Sequence, residues 1–525
     1  MKIKLITDDP TVNLVLDTLE KKKQAIVFAN TKRSAEKCAE DIADQIKNTN
    51  ELFMELSEKS LHALSSPTKQ CRRLANCLKK GIAFHHAGLT HKQRELVEDN
   101  FRAGKLKVIC STPTLAYGLD LPAYRVVLKD LRRFTHRGMQ YIPVLEYLQM
   151  AGRAGRPKFD KSGEAVAVCN SEDNQKKITE KYVYGLPEDI ESKLAVEPVL
   201  RTYLLSLIAT NFVNTKKEIL KFFEGTFWAY QFEDMHRLEL IIEKILNMLI
   251  DWEFVIEKSS NLDEAESFKD FKSADDTSEG VYEATLIGKR VAELYIDPLT
   301  AHDFVIGLKR SKDTLLKSFS FLHLVASTLE MRPLLKVRTK EYEDIQSALL
   351  KYEGCLLKLE PDIYESEFDD YLNGVKTAMM LQEWIDEKDE EYLLERYTVR
   401  PGELRVKIGN ADWLLYATEE IARLLKLQKV ISEIKKTRFR LKHGAKEELI
   451  TLLKIKNIGR VRARKMFGNG IKTIGDVKKA DVMKLIQLIG RNTTIKVKEE
   501  VGEKIDLAIK PGKRKGQLSL SKFTK

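Results

Sequence analysis

The sequence predicts a multidomain protein in which a parallel α/β domain precedes mainly helical domains. Short apolar runs alternate with helical patterns over about the first 190 residues, whereas helical periodicity dominates the remainder. A chain of 525 residues is long enough for several domains. We place their boundaries at 1–193 for the α/β domain, 194–296 for three helices with a two-stranded wing, 297–442 for a helical bundle, 443–507 for a small helical domain and 508–525 for a basic tail.

Five short apolar runs of the first domain are predicted to be buried strands. They are AIVFAN (25–30), GIAFHHAG (81–88), KVICSTP (107–113), RVVLKD (125–130) and EAVAVCN (164–170), with helix-like stretches such as SAEKCAEDIADQI and TPTLAYGL between them. Ligands of parallel sheets gather at the carboxyl ends of the strands. The polar clusters around Thr31 and Arg33, around His85 and His86, and around Thr112 all follow a strand. The two histidines are as readily structural as functional, and without further ligands at metal spacing they predict no metal site.

Composition favours a cytoplasmic protein with a polyanionic partner. The net charge is +11, and the charge is uneven: acids dominate 360–395, whereas 508–525 carries six Lys or Arg and no acid. No apolar run reaches the length needed to span a bilayer, and the first residues lack the apolar core of a signal peptide. The six cysteines form no CxxC pair, which indicates reduced and mostly buried thiols.

The segment YLQMAGRAGRP (147–157) places two arginines, Arg153 and Arg156, three residues apart. If it is helical, this spacing puts both guanidinium groups on one face. The small residues around them would let a phosphate group or another backbone approach closely. A solvated helix face explains the pattern equally well, so the neighbouring motifs decide between the two interpretations.

The stretch KDLRRFTHRGMQYIP (129–143) is basic and aromatic, with a glycine near its centre, and predicts a β-hairpin with an exposed tip. Phe134 and Tyr141 are its candidates for stacking on a base. The alternative is that both rings pack the base of the hairpin.

Four segments carry a specific resemblance: AIVFANTKRSAEKCA, FHHAGL, STPTLAYGLDLPA and QMAGRAGRP, in this order. Together they resemble the motif series of the second RecA-like domain of superfamily 2 helicases. The chain is most similar to the archaeal Hjm-type DNA helicases, which are related to the helicase part of polymerase theta and to the Ski-like RNA helicases. Asp120, where the family usually has Asn, and Tyr117, where a small residue is common, are departures in the loop that couples ATP to DNA.

The resemblance implies roles for these residues, with ATP and Mg²⁺ as cofactors. Arg153 and Arg156 would stabilise the γ-phosphate in the transition state, and Gln149 would orient the attacking water. Gly118, Asp120 and Gly152 would belong to the nucleotide site. Thr31, Arg33 and Thr112 would hold the backbone of single-stranded or forked DNA, and the hairpin would separate the duplex.

Three helices and a two-stranded wing predict a winged-helix domain at 194–296. The resemblance implies a helical ratchet at 297–442. Because the third helix of the winged domain carries Glu239 and Glu243, a structural bracket is favoured there over DNA binding. In the ratchet, Trp413 would stack on a base while Arg405 or Lys407 lies near phosphates; a place in the core is the alternative for Trp413.

The pattern ELITLLKIKNIGRVRARKMF predicts a helix-hairpin-helix unit with helices at 446–453 and 461–467. Its turn would offer backbone N–H groups to a phosphate, with Asn457 and Gly459 adopting the required backbone geometry. Arg460, Arg462 and Arg464 would add positive charge. Such units bind DNA without sequence preference, which favours DNA over RNA as the substrate.

The basic tail holds Gln517, Leu520 and Phe523 at the spacing Q-x-x-L-x-x-F. This spacing resembles the peptide that docks into the sliding clamp PCNA. Thr524 stands where a second aromatic residue is usual.

No GxxxxGK[ST] loop occurs in the sequence, and no DExH or DExD sequence follows an apolar strand. The resemblance implies that a first RecA-like domain supplies these motifs, so we expect ATP and Mg²⁺ to bind only together with a partner polypeptide. A split-gene subunit, a truncated product or an expressed fragment would each explain this. The predicted function is the C-terminal portion of a 3′–5′ DNA helicase; the alternatives are a non-catalytic module that binds forks or junctions, and a Ski-like RNA helicase.

Overall fold

The structure is a computed structural model. It divides into two compact units, Met1–Met380 with Lys388–Ile434, and Leu381–Glu387 with Lys435–Lys525. The residues that it describes are 3–47, 50–64, 66–135, 138–156, 160–194, 196–232, 234–258 and 280–503. Within these residues no helix is long and apolar enough to cross a membrane.

A five-stranded parallel sheet organises the first part of the larger unit, with strand order β2-β3-β1-β4-β7. This confirms the predicted parallel α/β fold. Every residue of β1 to β4 is buried, as expected of a parallel sheet covered on both faces. The strands are β1 (Ala25–Phe28), β2 (Ile82–His85), β3 (Val108–Ser111), β4 (Arg125–Leu128) and β7 (Glu164–Ala167).

Helices follow most of these strands. The predicted helix after β1 is present as α2, but TPTLAYGL forms only a 3-10 turn at Pro113–Ala116, because the chain turns away at Gly118 with φ of +73°. The helices of this region are α1 (Pro10–Glu20), α2 (Lys32–Asp44), α3 (Glu51–Leu61), α4 (Lys69–Leu78), α5 (His91–Arg102), α6 (Val144–Ala151) and α7 (Glu172–Ile178).

The predicted hairpin is present as β5 (Arg132–Thr135) and β6 (Gly138–Tyr141). Phe134 lies opposite Met139 near the tip and is 80% exposed. Tyr141, at the base, lies under the guanidinium group of Arg132, whose carbon is 4.5 Å from the ring centroid. The tip therefore presents Phe134 to solvent, whereas Tyr141 is already covered.

Four helices precede a two-stranded antiparallel ladder in the next region. The sequence predicts three helices before the wing, but the stretch TKKEILKFFEGTFWAYQ forms two helices, separated at Gly225. Lys216 bonds Glu243 and lies 3.0 Å from Glu239, so the acids of the long helix pair with the first residue of the Lys216–Glu224 helix. The elements are α8 (Glu197–Ala209), α9 (Lys216–Glu224), α10 (Phe227–Phe232), α11 (Met235–Asp251), β8 (Val255–Lys258), β9 (Val281–Ala284) and α12 (Leu286–Leu294).

The region that follows is helical, as predicted. The longest of its helices, α18, begins at Pro401, where proline suits a first helical turn. His323 is fully buried against Phe319 and Tyr371. The helices are α13 (Pro298–Arg310), α14 (Ser318–Ala326), α15 (Tyr342–Tyr352), α16 (Phe368–Ile385), α17 (Glu390–Tyr397), α18 (Pro401–Leu424) and α19 (Gln428–His443).

The smaller unit has its own apolar core. Trp384 is buried in this unit and donates its indole N–H to the carbonyl oxygen of Leu441 over 2.8 Å. The predicted first helix of the hairpin unit is shorter than expected, because 447–449 form a 3-10 turn. The helices are α20 (Ile450–Leu453), α21 (Arg460–Gly468), α22 (Ile474–Lys479), α23 (Val482–Ile489) and α24 (Arg491–Glu500).

Candidate nucleotide and nucleic-acid interfaces

An open cavity of about 790 Å³ lies at the carboxyl ends of the central strands. The structure brings Thr31, Arg33 and Thr112 together in its lining, although they come from two different strand ends. Among the described residues that line it, most of the charged groups are cations and Glu146 is the one acid. The cations are Lys32, Arg33, Arg133 and Arg400.

The polar groups of this cavity suit a phosphate backbone. Thr31 caps α2 by accepting a hydrogen bond from the Ser34 N–H at 3.1 Å, and its side chain lies beside the exposed Arg33. The hydroxyl oxygens of Thr112 and Thr114 are 2.9 Å apart. Hydroxyl groups and guanidinium groups are the usual partners of nucleic-acid phosphates. The cavity can therefore hold a single strand by its backbone.

Arg133 and Arg400 were missed from the sequence as cavity residues. Arg133 lies on the hairpin and reaches Glu146 with its Nη1 atom at 2.9 Å. Its basic neighbourhood in the sequence was the available signal. Arg400 precedes α18 and joins a cavity that the strand ends build, so no local pattern could have placed it there.

Both strand-end histidines have structural partners. The Nε2 atom of His85 is 2.7 Å from Glu98, and that of His86 is 3.0 Å from Glu36. Burial lowers the pKa of His86, although Glu36 opposes that effect. The Nδ1 atom of His86 accepts from the Gly88 N–H at 3.1 Å, which leaves Nε2 as the donor to Glu36. Among the described residues no group of His, Cys, Asp and Glu could hold a metal ion.

Glu36 has a buried carboxylate that is hydrogen-bonded by several basic side chains. Burial alone would raise the pKa of Glu36, but the hydrogen bond from His86 and the charge of Arg400 outweigh it and lower the pKa from 4.5 to about 2. Arg73 bonds the second oxygen of the same carboxylate. Glu36 therefore stays ionised near neutral pH.

The two arginines of the 147–157 segment do not share a helix face, because α6 ends at Ala151. Gly152 closes the helix, Ala154 pairs with Ala123 in a parallel bridge, and Gly155 adopts φ of +95°, so the helix does not continue between the arginines. Arg153 donates from Nη2 to the carbonyl oxygen of Ala116 at 2.5 Å. The expectation of a shared helical face was wrong, since small residues around an arginine pair do not mark where a helix stops.

Arg156 turns toward the opposite end of the sheet. Its guanidinium group contacts Asp160 at 2.6 Å and the side-chain oxygen of Gln24, just before β1, also at 2.6 Å. Asp160 in turn contacts Lys23. Arg153 and Arg156 thus lie in different environments, and Arg156 is held in a nearly buried ion pair.

The other residues predicted to belong to the nucleotide site lie close to Arg153 or Ala116 in the chain. The side-chain oxygen of Gln149 is buried and accepts no hydrogen bond from any described residue. Gly118 and Asp120 are exposed in the turn that follows Ala116, and Gly152 is exposed at the end of α6. A buried acceptor without a described partner, four residues before Arg153 in the chain, fits a site that a further polar group completes.

On α18 the structure separates Arg405 from Trp413. Arg405 is half-exposed and lies 3.2 Å from Glu390. Trp413 is half-buried and donates its indole N–H to the Leu294 carbonyl oxygen over 3.1 Å. Lys407 donates to the carbonyl oxygens of Met331 and Pro333, and burial lowers its pKa. Arg405 is thus the more accessible of the two basic candidates on this helix.

In the smaller unit, Asn457 adopts φ of +64° and Gly459 caps α21, as the turn requires. Arg460 stacks on Trp384, with 4.2 Å between the guanidinium carbon and the ring centroid. Arg462 is exposed and donates to the Asn457 carbonyl oxygen at 2.9 Å. Arg464 is bound by Glu387 and Glu448. Arg462 is therefore the most exposed of the three arginines.

The clamp-like peptide with Gln517, Leu520 and Phe523 lies outside the described residues. The six cysteines are free thiols, and five of them are buried, as predicted.

Comparisons with known proteins place this geometry in a family. The helicase conserved C-terminal domain matches residues 45–158, and archaeal helicase domain 4 matches residues 319–444. The chain is 36% identical to the ATP-dependent DNA helicase Hel308 of Methanococcus vannielii, over 96% of this chain and 69% of the relative. The chain is also 36% identical to Hel308 of Methanocella arvoryzae, over 95% of this chain and 65% of the relative. It is 36% identical to Hel308 of Pyrococcus horikoshii, over 96% of this chain and 67% of the relative.

The chain spans about two thirds of the length of these relatives. The match covers the parallel sheet with its cavity as well as the helices that follow. The protein therefore belongs to the Hel308 family of archaeal ATP-dependent DNA helicases.

Proposed function

We propose that this chain is the DNA-gripping and phosphate-sensing portion of a 3′–5′ DNA helicase that acts on single strands, forks and junctions during repair and recombination. A RecA-like domain with a P-loop and a DExH motif, supplied by another polypeptide, would complete the ATP site. One observation carries the proposal: Thr112 lines the basic cavity, while Ala116, one 3-10 turn later, accepts the hydrogen bond of Arg153.

That short connection supports coupling between nucleotide and DNA. A shift of Arg153 toward a γ-phosphate would release or pull the turn at Pro113–Ala116, and with it the wall of the cavity. Mg²⁺-bound ATP supplies the reactive phosphoanhydride when present. Arg153 would stabilise the charge that develops there, and the side-chain oxygen of Gln149 would accept a hydrogen bond from the attacking water and so orient it.

The remaining parts have assigned tasks in this proposal. Phe134 on the hairpin opens the duplex, and the α18 residues Arg405 and Trp413 follow the threaded strand. The winged-helix region acts as a bracket, since its acids pair with Lys216. The helix-hairpin-helix turn at Asn457–Gly459 contacts the DNA backbone with Arg462, and the tail binds PCNA through Gln517, Leu520 and Phe523.

The test is reconstitution. The chain alone should bind forked DNA and hydrolyse no ATP, and adding a separately expressed first RecA-like domain from a relative should produce DNA-stimulated hydrolysis and unwinding. Hydrolysis by the chain alone contradicts the in-trans proposal. An associated, folded pair without hydrolysis favours a non-catalytic fork-binding module, and tighter binding of RNA forks than of DNA forks favours the RNA alternative.

A further inference from the structure

A buried joint connects the RecA-like part of the larger unit to helix α18. At its centre is Glu36 of α2, which is only 2% exposed. His86 and Arg73 reach this carboxylate from the RecA-like side. Arg400, which caps α18, reaches it from 364 positions further along the chain, with its Nε atom 3.0 Å from Oε1. One carboxylate thus accepts hydrogen bonds from both structural parts.

The backbones beside this carboxylate also touch. The Gly402 N–H donates to the Gly88 carbonyl oxygen at 3.0 Å. A Cβ on Gly402 would lie 2.3 Å from the carbonyl oxygens of Ala87 and Leu89, and a Cβ on Gly88 would lie 2.3 Å from the Arg400 side chain. At Gly402 the obstructing atoms are backbone oxygens, so no side chain fits there and the two segments meet backbone to backbone.

A further ion pair lies at the same end of the helix. Lys32, at the start of α2, bonds the carboxylate of Glu403 in the first turn of α18. The Glu403 carboxylate also accepts from the Arg400 N–H at 2.9 Å, which caps the helix. The start of α18 is therefore tied to α2 by side chains on both sides of the glycine contact.

The position of this joint gives it a mechanical consequence. The start of α2 lines the basic cavity, and Arg400 does so too. Arg405 and Trp413 lie one to three turns further along α18. An α-helix is stiff over such a distance, so a rotation imposed at its first turn reaches these residues nearly undiminished.

We infer that Glu36 is a positioning residue that fixes α18 to the RecA-like domain, so that the strand-contacting face of α18 moves with that domain in each ATP cycle. The inference rests on the proposed function. Without the joint, closure of the nucleotide site would still occur, but the displacement would be lost before it reached Arg405.

The test measures base pairs unwound per ATP in the reconstituted helicase. Glu36→Gln and Gly402→Ala, the second of which keeps every charge, should each lower this ratio at least fivefold while DNA-stimulated hydrolysis stays within twofold. Arg400→Gln should also lower the number of base pairs unwound per ATP. Arg400→Lys, which keeps a cation in reach of Glu36, should keep most of the wild-type value. The matched control is Arg290→Ala, which breaks the 2.8 Å ion pair between α12 and Glu420 on the same helix and should leave the ratio unchanged.

A purely structural role predicts a different outcome, in which thermal stability falls while the ratio stays at the wild-type value or both activities fall in parallel. Either result overturns the inference. A measurement without ATP tests the inference separately from the proposed function. It uses a pair of spin labels attached at Asp99→Cys on α5 and Lys426→Cys after α18. Their distance distribution should be narrow in the otherwise unchanged chain and clearly broader with Glu36→Gln or Gly402→Ala.

If the distance distribution is equally narrow in Glu36→Gln and Gly402→Ala, the inference is wrong even if the helicase is active. If the reconstituted wild type hydrolyses no ATP, the proposed function fails. The widths of the spin-label distance distributions then decide alone whether Glu36 fixes α18 to the RecA-like domain.

Discussion

The Nε atom of Arg156 lies 2.6 Å from Oδ2 of Asp160, whose side chain is almost wholly buried. Arg153, three residues earlier, has only a main-chain acceptor among its hydrogen bonds to described residues. The two arginines therefore differ in what they stabilise, although both belong to one short motif.

Arg153→Ala should abolish ATP hydrolysis in the reconstituted pair, by about a thousandfold or more, because a γ-phosphate would lose its guanidinium partner. Fork binding and thermal stability should change little. Arg156→Ala should instead lower the free energy of unfolding by about 2–4 kcal/mol, because Asp160 would stay buried with Lys23 as its remaining cation among the described residues. Thermal melts and hydrolysis assays check both; a loss of fork binding in Arg153→Ala would show that this face was assigned wrongly.

Phe134→Ala should reduce the unwinding rate by about tenfold, since stacking of an aromatic ring on a base contributes about 1–3 kcal/mol. The ring is exposed, so the melting temperature should not change. Met139→Ala, directly across the hairpin, is the matched control and should have a much smaller effect. Equal losses in the two variants would mean that the bulk of the tip matters and the aromatic ring does not.

Arg462→Ala should weaken DNA binding and reduce the slope of log affinity against log salt by about 1, because an exposed cation that contacts a phosphate releases about one counterion. Arg464→Ala, two residues on, loses its ion pairs with Glu387 and Glu448 and should lower stability by about 1–3 kcal/mol. Salt titrations of fork binding, together with thermal melts, separate the two. The assignment of α21 to DNA fails if both variants bind with the wild-type salt dependence.

His323 should make the protein sensitive to mild acid. Burial lowers the pKa of His323 from 6.5 to about 3, so the folded protein keeps it neutral while the unfolded chain takes up a proton below pH 6.5. As the pH falls from 6.5 to 3, protonation of His323 in the unfolded chain should therefore lower the free energy of unfolding by about 1.4 kcal/mol per pH unit. His323→Phe should remove that share of the pH dependence, whereas the exposed His62→Phe should not. Denaturant melts at several pH values check the difference in slope.

Local patterns were enough to predict the sheet and the hairpin. Buried parallel strands are short, apolar and followed by polar residues, and the hairpin sequence has a glycine near its centre, so neither prediction needs a distant partner. The end of α6 was missed because Ala154 leaves the helix to pair with Ala123, a contact that no spacing within 147–157 reveals.

The joint at Glu36 was missed for a related reason. Its Arg400 partner is 364 positions away, and a glutamate in an amphipathic helix with several other acids is normally expected to face solvent. The roles of Gln149 and Arg405 remain predictions, because their geometry is compatible with the assigned contacts without testing them. In each case the limit is that long-range pairing leaves no periodic trace in a single sequence.

The glycine contact between Gly88 and Gly402 restricts how this protein can be recombined with its relatives. A chimera that exchanges the helical region somewhere before Gly402 brings a foreign segment against Ala87 and Leu89, where even one methyl group has no room. Graft boundaries placed inside α18, after its first turn, keep the native glycine pair and Arg400 together. For protein engineering, the RecA-like domain and the first turn of α18 are therefore best treated as one exchangeable cassette.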